Sequence, residues 1–162
     1  ESYDRLENGE LYEVDSTLFV DSLKFTTPNG KIVYGGGGIM PDIFVPLDTS
    51  DYTNYLGELR FKDVFNQFSF YYANKHRSDW NSFSEFDREF KVSPYVLTEF
   101  KNYAVQELKV RHNEAQMNKS LDRIKLRIKS DIARQLFNDD AFYKIISQDD
   151  PEVQKGIEIL SK

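Results

Sequence analysis

Leu23-Lys24-Phe25-Thr26-Thr27-Pro28-Asn29-Gly30-Lys31-Ile32-Val33-Tyr34 is the stretch on which the fold turns. Two short runs of aromatic and β-branched residues flank Thr27-Pro28-Asn29-Gly30. Such runs favour extended chain, because branched and flat side chains pack well on a pleated surface. Pro28 presets one backbone angle and Asn29-Gly30 tolerates positive φ, so the four residues predict a tight hairpin turn. Outward from it, Leu18-Phe19-Val20 and Ile43-Phe44-Val45 carry the same extended bias. Gly35 to Gly38 and Ile39-Met40-Pro41-Asp42 stand between the hairpin and the second of these runs. Residues 1–16 are polar and acidic, and read as a short helical turn or loop.

After Pro46 the period lengthens from two to about 3.6. Phe61, Val64, Phe65, Phe68 and Tyr72 fall at helical offsets and predict one buried stripe. Asn74 to Ser84 reads as a connection anchored by Trp80, and Ser84 with Asp87 as a capping box opening a short helix through Phe90. Ser93-Pro94 predicts a helix start with Ser as cap and Pro at the first position. Its stripe is Val96 or Leu97, Phe100, Ala104 and Leu108. The longest helix is expected from Asn113 to Phe137, on Met117, Leu121, Ile124, Ile128, Ile132 and Leu136. Asn138-Asp139-Asp140 would end it and cap Ala141 to Ser147, and Asp149-Asp150-Pro151 would cap a last helix carrying Val153, Ile157 and Leu160. The fold class is therefore α+β: a small hairpin-containing head over residues 1–50 and a mainly α-helical tail over residues 51–162.

The 162 residues include 13 Phe and 10 Tyr, so burial must lean on large flat side chains. A net charge of −6 argues against a dedicated binder of nucleic acid or anionic membrane. The charge is uneven: residues 1–60 are acidic, while the stretch from about Glu99 to Gln135 has an excess of Lys and Arg. There is no Cys, which removes thiol nucleophiles, disulfides and thiolate metal sites together. No apolar run approaches the ~20 residues that span a bilayer, and no signal peptide is expected within these residues. The chain opens Glu1-Ser2-Tyr3 without Met, and is expected to be one piece of a larger protein.

Each candidate site has a plainer reading beside it. Four glycines invite a phosphate loop, but that chemistry needs a helix start and usually Lys-Ser or Lys-Thr, and Ile39-Met40-Pro41 follows instead. A sharp bend with close chain approach accounts for them better. His76 and His112 are the only imidazoles, with Asp79 and Glu114 as their local carboxylates, too few for a zinc site. No Ser occupies a nucleophile elbow, and Ser84 and Ser93 are already expected as caps. Asp139-Asp140 and Asp149-Asp150 stand where helix N-termini favour negative charge. Lys119, Arg123, Lys125, Arg127 and Lys129 share their helix with an apolar stripe and with Asp122 and Asp131, and read as a solvated face. No cofactor, no metal ion and no nucleic-acid partner is expected.

The segment from Leu23 to Lys31, running into Gly36-Gly37-Gly38-Ile39-Met40-Pro41-Asp42, resembles the carboxyl-terminal processing (tail-specific) serine proteases. That family carries a threonine-proline-x-glycine-basic turn and then glycine-isoleucine-x-proline-aspartate near the end of its protease core. Asn8-Gly9-Glu10-Leu11 and Asp21-Ser22-Leu23-Lys24 look like an insertion of its bacterial envelope members, and Asp150 to Gln154 is similar to its final helix. The specific match covers about residues 5–50. The resemblance implies a serine endopeptidase of the periplasm or cell envelope that takes protein C-termini through a PDZ domain. Its Ser–Lys dyad and PDZ domain would lie upstream, so no residue here receives a catalytic role and the fragment alone is expected to be inactive. What carries over is structural: Thr27, Pro28 and Gly30 in the turn, and Gly35, Gly36, Gly37, Gly38, Pro41 and Asp42 leading the last core strand away. Implied partners are protein or peptide substrates, the upstream core, and a second copy paired through exposed β edges while the tail packs internally. The competing reading is a non-enzymatic helical interaction module whose Phe and Tyr line a groove.

Overall fold

A computed structural model describes residues 24–30, 32–35 and 43–161. The expectations for residues 1–16, Leu18–Val20 and Asp21-Ser22-Leu23 lie outside the described residues, as do Lys31, Gly36, Gly37, Gly38, Pro41 and Asp42. The chain divides into two compact units, residues 1–48 and residues 49–162. One contributes a two-stranded antiparallel hairpin and the other is helical, an α+β chain with a mainly helical tail.

In the first unit β1 (Lys24–Thr26) pairs with β2 (Ile32–Tyr34), placing Phe25 opposite Val33 and Thr26 opposite Ile32. Gly30 N–H donates to the Thr27 carbonyl at 2.9 Å, with Pro28 and Asn29 at the two central positions. The positive φ falls on Gly30, at 79°, and not on Asn29. No atom lies within 4 Å of where a Cβ would stand, so the backbone alone asks for glycine there. Phe25, Ile32 and Val33 are exposed. Ile43-Phe44-Val45, expected as a strand, is irregular. Extended propensity makes no strand without a ladder to join, and Pro46 removes a donor at its end.

The helical unit begins with Thr53, whose Oγ1 accepts Leu56 N–H at 3.2 Å and caps α1 (Asn54–Phe61). Lys62 and Asp63 then break the helix, Asp63 in the left-handed region at φ 54°, before α2 (Val64–His76). That turn corrects the expected single stripe: Val64, Phe65, Phe68 and Tyr72 are buried, whereas Phe61 is 91 % exposed. Lys62 Nζ holds the corner by donating to the Leu108 and Lys109 carbonyls at 3.2 and 3.1 Å. α3 (Phe83–Glu89) is capped by Ser82, two residues before the expected Ser84. Ser82-x-x-Glu85 carries the same capping pattern, and Glu85 reaches back to Asn81 N–H at 2.8 Å. α4 (Pro94–Gln106) starts as expected, on Ser93 with Pro94 at its first position. It closes with Val110 N–H on the Ala104 carbonyl at 3.0 Å and Lys109 left-handed.

The expected long helix is two. α5 (Glu114–Lys119) stops at Ser120 and α6 (Leu121–Leu136) follows. Ser120 is fully buried; its hydroxyl donates to the Asp51 carbonyl at 2.6 Å and lies 2.8 Å from Thr53 Oγ1. A hydroxyl turned toward this neighbouring segment, at a backbone near φ −98° and ψ 14°, interrupts a stripe that otherwise runs on. Asn138 caps α7 (Asp139–Ile146) through Ala141 N–H, and a 3₁₀ turn, Ser147–Asp149, follows. Asp150 Oδ1 accepts the Glu152 and Val153 amides to open α8 (Pro151–Leu160).

The core lies among α1, α2, α4, α6 and α7, with Phe86 and Trp80 closing one side. Phe68 meets Phe100 edge-on at 5.2 Å, and Phe65 stacks on the same ring at 5.2 Å. Trp80 stands edge-on to Phe86 at 5.1 Å and to Phe90 at 5.6 Å, the anchor expected of it. Each fully buried Phe contributes roughly 1.5–3 kcal/mol by leaving water. α8 departs from the expectation of an internally packed tail. Its Val153, Ile157 and Leu160 are exposed, and none of its residues is buried. No described helix is long and apolar enough to cross a membrane.

Candidate functional site

The opposite side of α4 from its buried Val96, Phe100 and Ala104 carries a different kind of surface. Tyr95, Glu99, Asn102 and Gln106 recur at steps of three and four and so share one face. With Tyr71 of α2 and Tyr103 of α4 they line an open cleft of about 560 Å³. The three rings come from both helices because Phe68, edge-on to Tyr103 at 5.8 Å, pulls α2 and α4 together underneath. Tyr71 and Tyr103 lie 5.2 Å apart. Lys75, one turn along α2, reaches two residues of the lining: its Nζ stands 4.0 Å from the Tyr71 centroid, bonds the Tyr71 hydroxyl, and meets Glu99 at 3.3 Å. The hydrogen bond to Tyr71 raises the Lys75 ammonium above its ordinary pKa. Burial, with Glu107 nearby, pushes the Tyr103 phenol up as well, so both groups keep their protons at neutral pH.

A second polar cluster sits at the start of the helical unit. Tyr55 is buried edge-on against His112 at 5.7 Å, and His112 Nε2 pairs with Glu114 Oε2 at 2.6 Å. Burial first, then the charges of Glu58 and Glu114, push the Tyr55 phenol up to about 12. Gln116 Oε1 accepts Tyr55 N–H at 2.8 Å, tying α1 to α5. His76 pairs with Asp79 at 2.7 Å and stacks on Tyr72 at 4.2 Å. No cluster of potential metal ligands occurs among the described residues.

Other sequence candidates take structural parts. Thr27, Pro28 and Gly30 form the hairpin turn, and Gly35 follows β2 as exposed irregular chain. Asp139 and Asp140 occupy the first turn of α7. Asp150 caps α8, while Asp149 ends the 3₁₀ turn. The basic residues of α6 are a correction to the solvated face expected of them. Arg123 bonds Asp51 at 2.5 Å and Lys129 bonds Asp87 at 2.6 Å, so these two tie α6 to other segments, while Arg127 bonds Asp131 at 2.6 Å within α6 and Lys119 is exposed as expected. Asp131 is 1 % exposed, and burial raises its carboxyl pKa despite the pull of Arg127 and Arg134.

Residues 55–138, just over half of the chain, match the model of a family of unknown function, DUF8443. The chain belongs to that family. The DUF8443 segment opens within α1 and closes on Asn138, the cap of α7, and so holds the whole tyrosine cleft. No curated protein and no solved structure matches the chain. Sequence reasoning foresaw an aromatic groove only in general terms and named none of its residues. The spacing Tyr95, Glu99, Asn102, Gln106 is the signal that could have located it.

Proposed function

We propose that this chain is the C-terminal, non-catalytic section of a serine endopeptidase of the carboxyl-terminal processing type, acting in the periplasm or cell envelope. The Thr27–Gly30 turn carries the reading: the residues that resemble that family's turn close a two-stranded hairpin, which supports the resemblance. The exposed Phe25, Ile32 and Val33 support it too, since a ribbon of two three-residue strands is marginal alone and gains from further strands beside it. In the parent those strands belong to the protease core; in isolation the edges recruit a second copy. Bond cleavage falls to a Ser activated by a neutral, desolvated Lys, both encoded upstream.

The test compares two purified proteins on one flexible fluorogenic peptide. The parent chain is expected to cleave it and to lose that activity when its upstream Ser is replaced by Ala, while the 162-residue chain leaves it intact. Cleavage by the 162-residue chain that is lost on changing one of its own serines would overturn the reading. The tyrosine cleft favours a second reading, a non-enzymatic interaction module; a parent without peptidase activity, in which the helical unit retains a partner, would establish it.

A further inference from the structure

We infer that the cleft between α2 and α4 is a docking site for an extended polypeptide segment bearing Lys or Arg side chains. The inference stands whether or not the parent is a protease, because it rests on the helical unit alone. Two observations select the occupant. The cleft presents three phenol rings with Glu99 and Glu107, and a ring face together with a carboxylate is the combination that attracts an alkylammonium or guanidinium group. The protein also places a cation of its own there: Lys75 lies over Tyr71 and against Glu99. Lys75 marks one cation subsite; Tyr95, 74 % exposed, and Glu107 border the rest.

Geometry favours a chain over a small ion. Tyr95 to Gln106 spans roughly 16 Å of helix, enough for about five residues of extended chain. Asn102 and Gln106 offer amide donors and acceptors to a peptide backbone along that length. The cleft is open, so binding is expected to be weak, fast and sensitive to salt.

The test titrates the 162-residue chain into a fluorescein-labelled ten-residue Gly/Ser peptide carrying two Arg, and into a twin carrying two Glu, reading anisotropy. The Arg peptide is expected to bind about tenfold more tightly than its twin, as two exposed cation–π and carboxylate contacts would give. Tyr95→Ala should weaken it about threefold and Tyr95→Phe should not, since the ring face is what is used. Circular dichroism checks that Tyr95→Ala folds. Lys75→Met should tighten binding several-fold by vacating Tyr71 and Glu99. Glu107→Gln should weaken it, while Glu89→Gln, on an exposed Arg88 pair of α3, should not. Equal binding of the twins, equal loss from Glu89→Gln and Glu107→Gln, or weaker binding by Lys75→Met would each overturn the inference.

Discussion

The hairpin and the helical unit solve the same problem with opposite success. β1 and β2 join three residue pairs, and their Phe25, Ile32 and Val33 remain 59, 49 and 38 % exposed. In the helical unit Phe68, Phe86 and Phe100 are fully buried, and six of the eight described α-helices start on a side-chain cap. Local signals make the hairpin, for a Pro-Asn-Gly turn closes without help. Mutual burial makes the helical unit, and its helices would be marginal apart. A turn is thus legible at short range, whereas stability requires surfaces that meet.

Phe68→Ala tests the strong side of this contrast and should have the largest effect. It empties the space between Phe100, Tyr72 and Tyr103, and is expected to cost about 3–5 kcal/mol in chemical denaturation of the helical unit. A loss below ~1 kcal/mol would mean that the unit does not depend on its aromatic core. Next comes Ser120→Ala, which removes a hydroxyl bonded to Asp51 and Thr53. About 1–2 kcal/mol should be lost, with faster amide exchange over residues 50–56. An unchanged exchange rate there would show that Arg123 and Gln116 hold the segment without Ser120.

Gly30→Ala examines the weak side. Its strain, of order 1 kcal/mol, should fall on the hairpin and leave the unfolding midpoint of the helical unit where it was. A shift of that midpoint would show the two units melting together. The smallest effect concerns Asp131, and only its slope with pH is read. Its pKa is raised in the folded state, so the fold binds the proton more tightly than the unfolded chain does. Its contribution to stability is then fully present below the ordinary Asp pKa and is lost as pH rises through the raised value. Wild type should therefore gain on Asp131→Asn as pH falls from 7 toward 4. The opposite slope would mean that Arg127 and Arg134 outweigh burial.

Caps and stripes were readable because they are local. Ser93-Pro94, Asn138 and Asp150 each bond an amide two or three residues on, and their meaning needs no distant partner. The breaks were not. Asp63 turns left-handed without Gly or Pro to announce it, at a corner that Lys62 holds by reaching the Leu108 carbonyl, 46 residues further along the sequence. Ser120 interrupts α5 and α6 because it answers to Asp51, 69 residues earlier. Ile43–Val45 failed for the converse reason, as strand propensity was present and a pairing partner among the described residues was not. The cleft escaped because its rings come from two helices, and its polar face has no apolar period to betray it.

Arg134 lies 3.6 Å from the centre of the Phe142 ring while also reaching toward Asp131, which is hidden from solvent. A brine strong enough to mute the outer Arg88–Glu89 pair shortens electrostatic reach to about 3 Å, yet mobile ions have little access to the Asp131 carboxylate, 2 % exposed. The join of α6 and α7 should consequently outlast the decorations around it when ionic strength climbs.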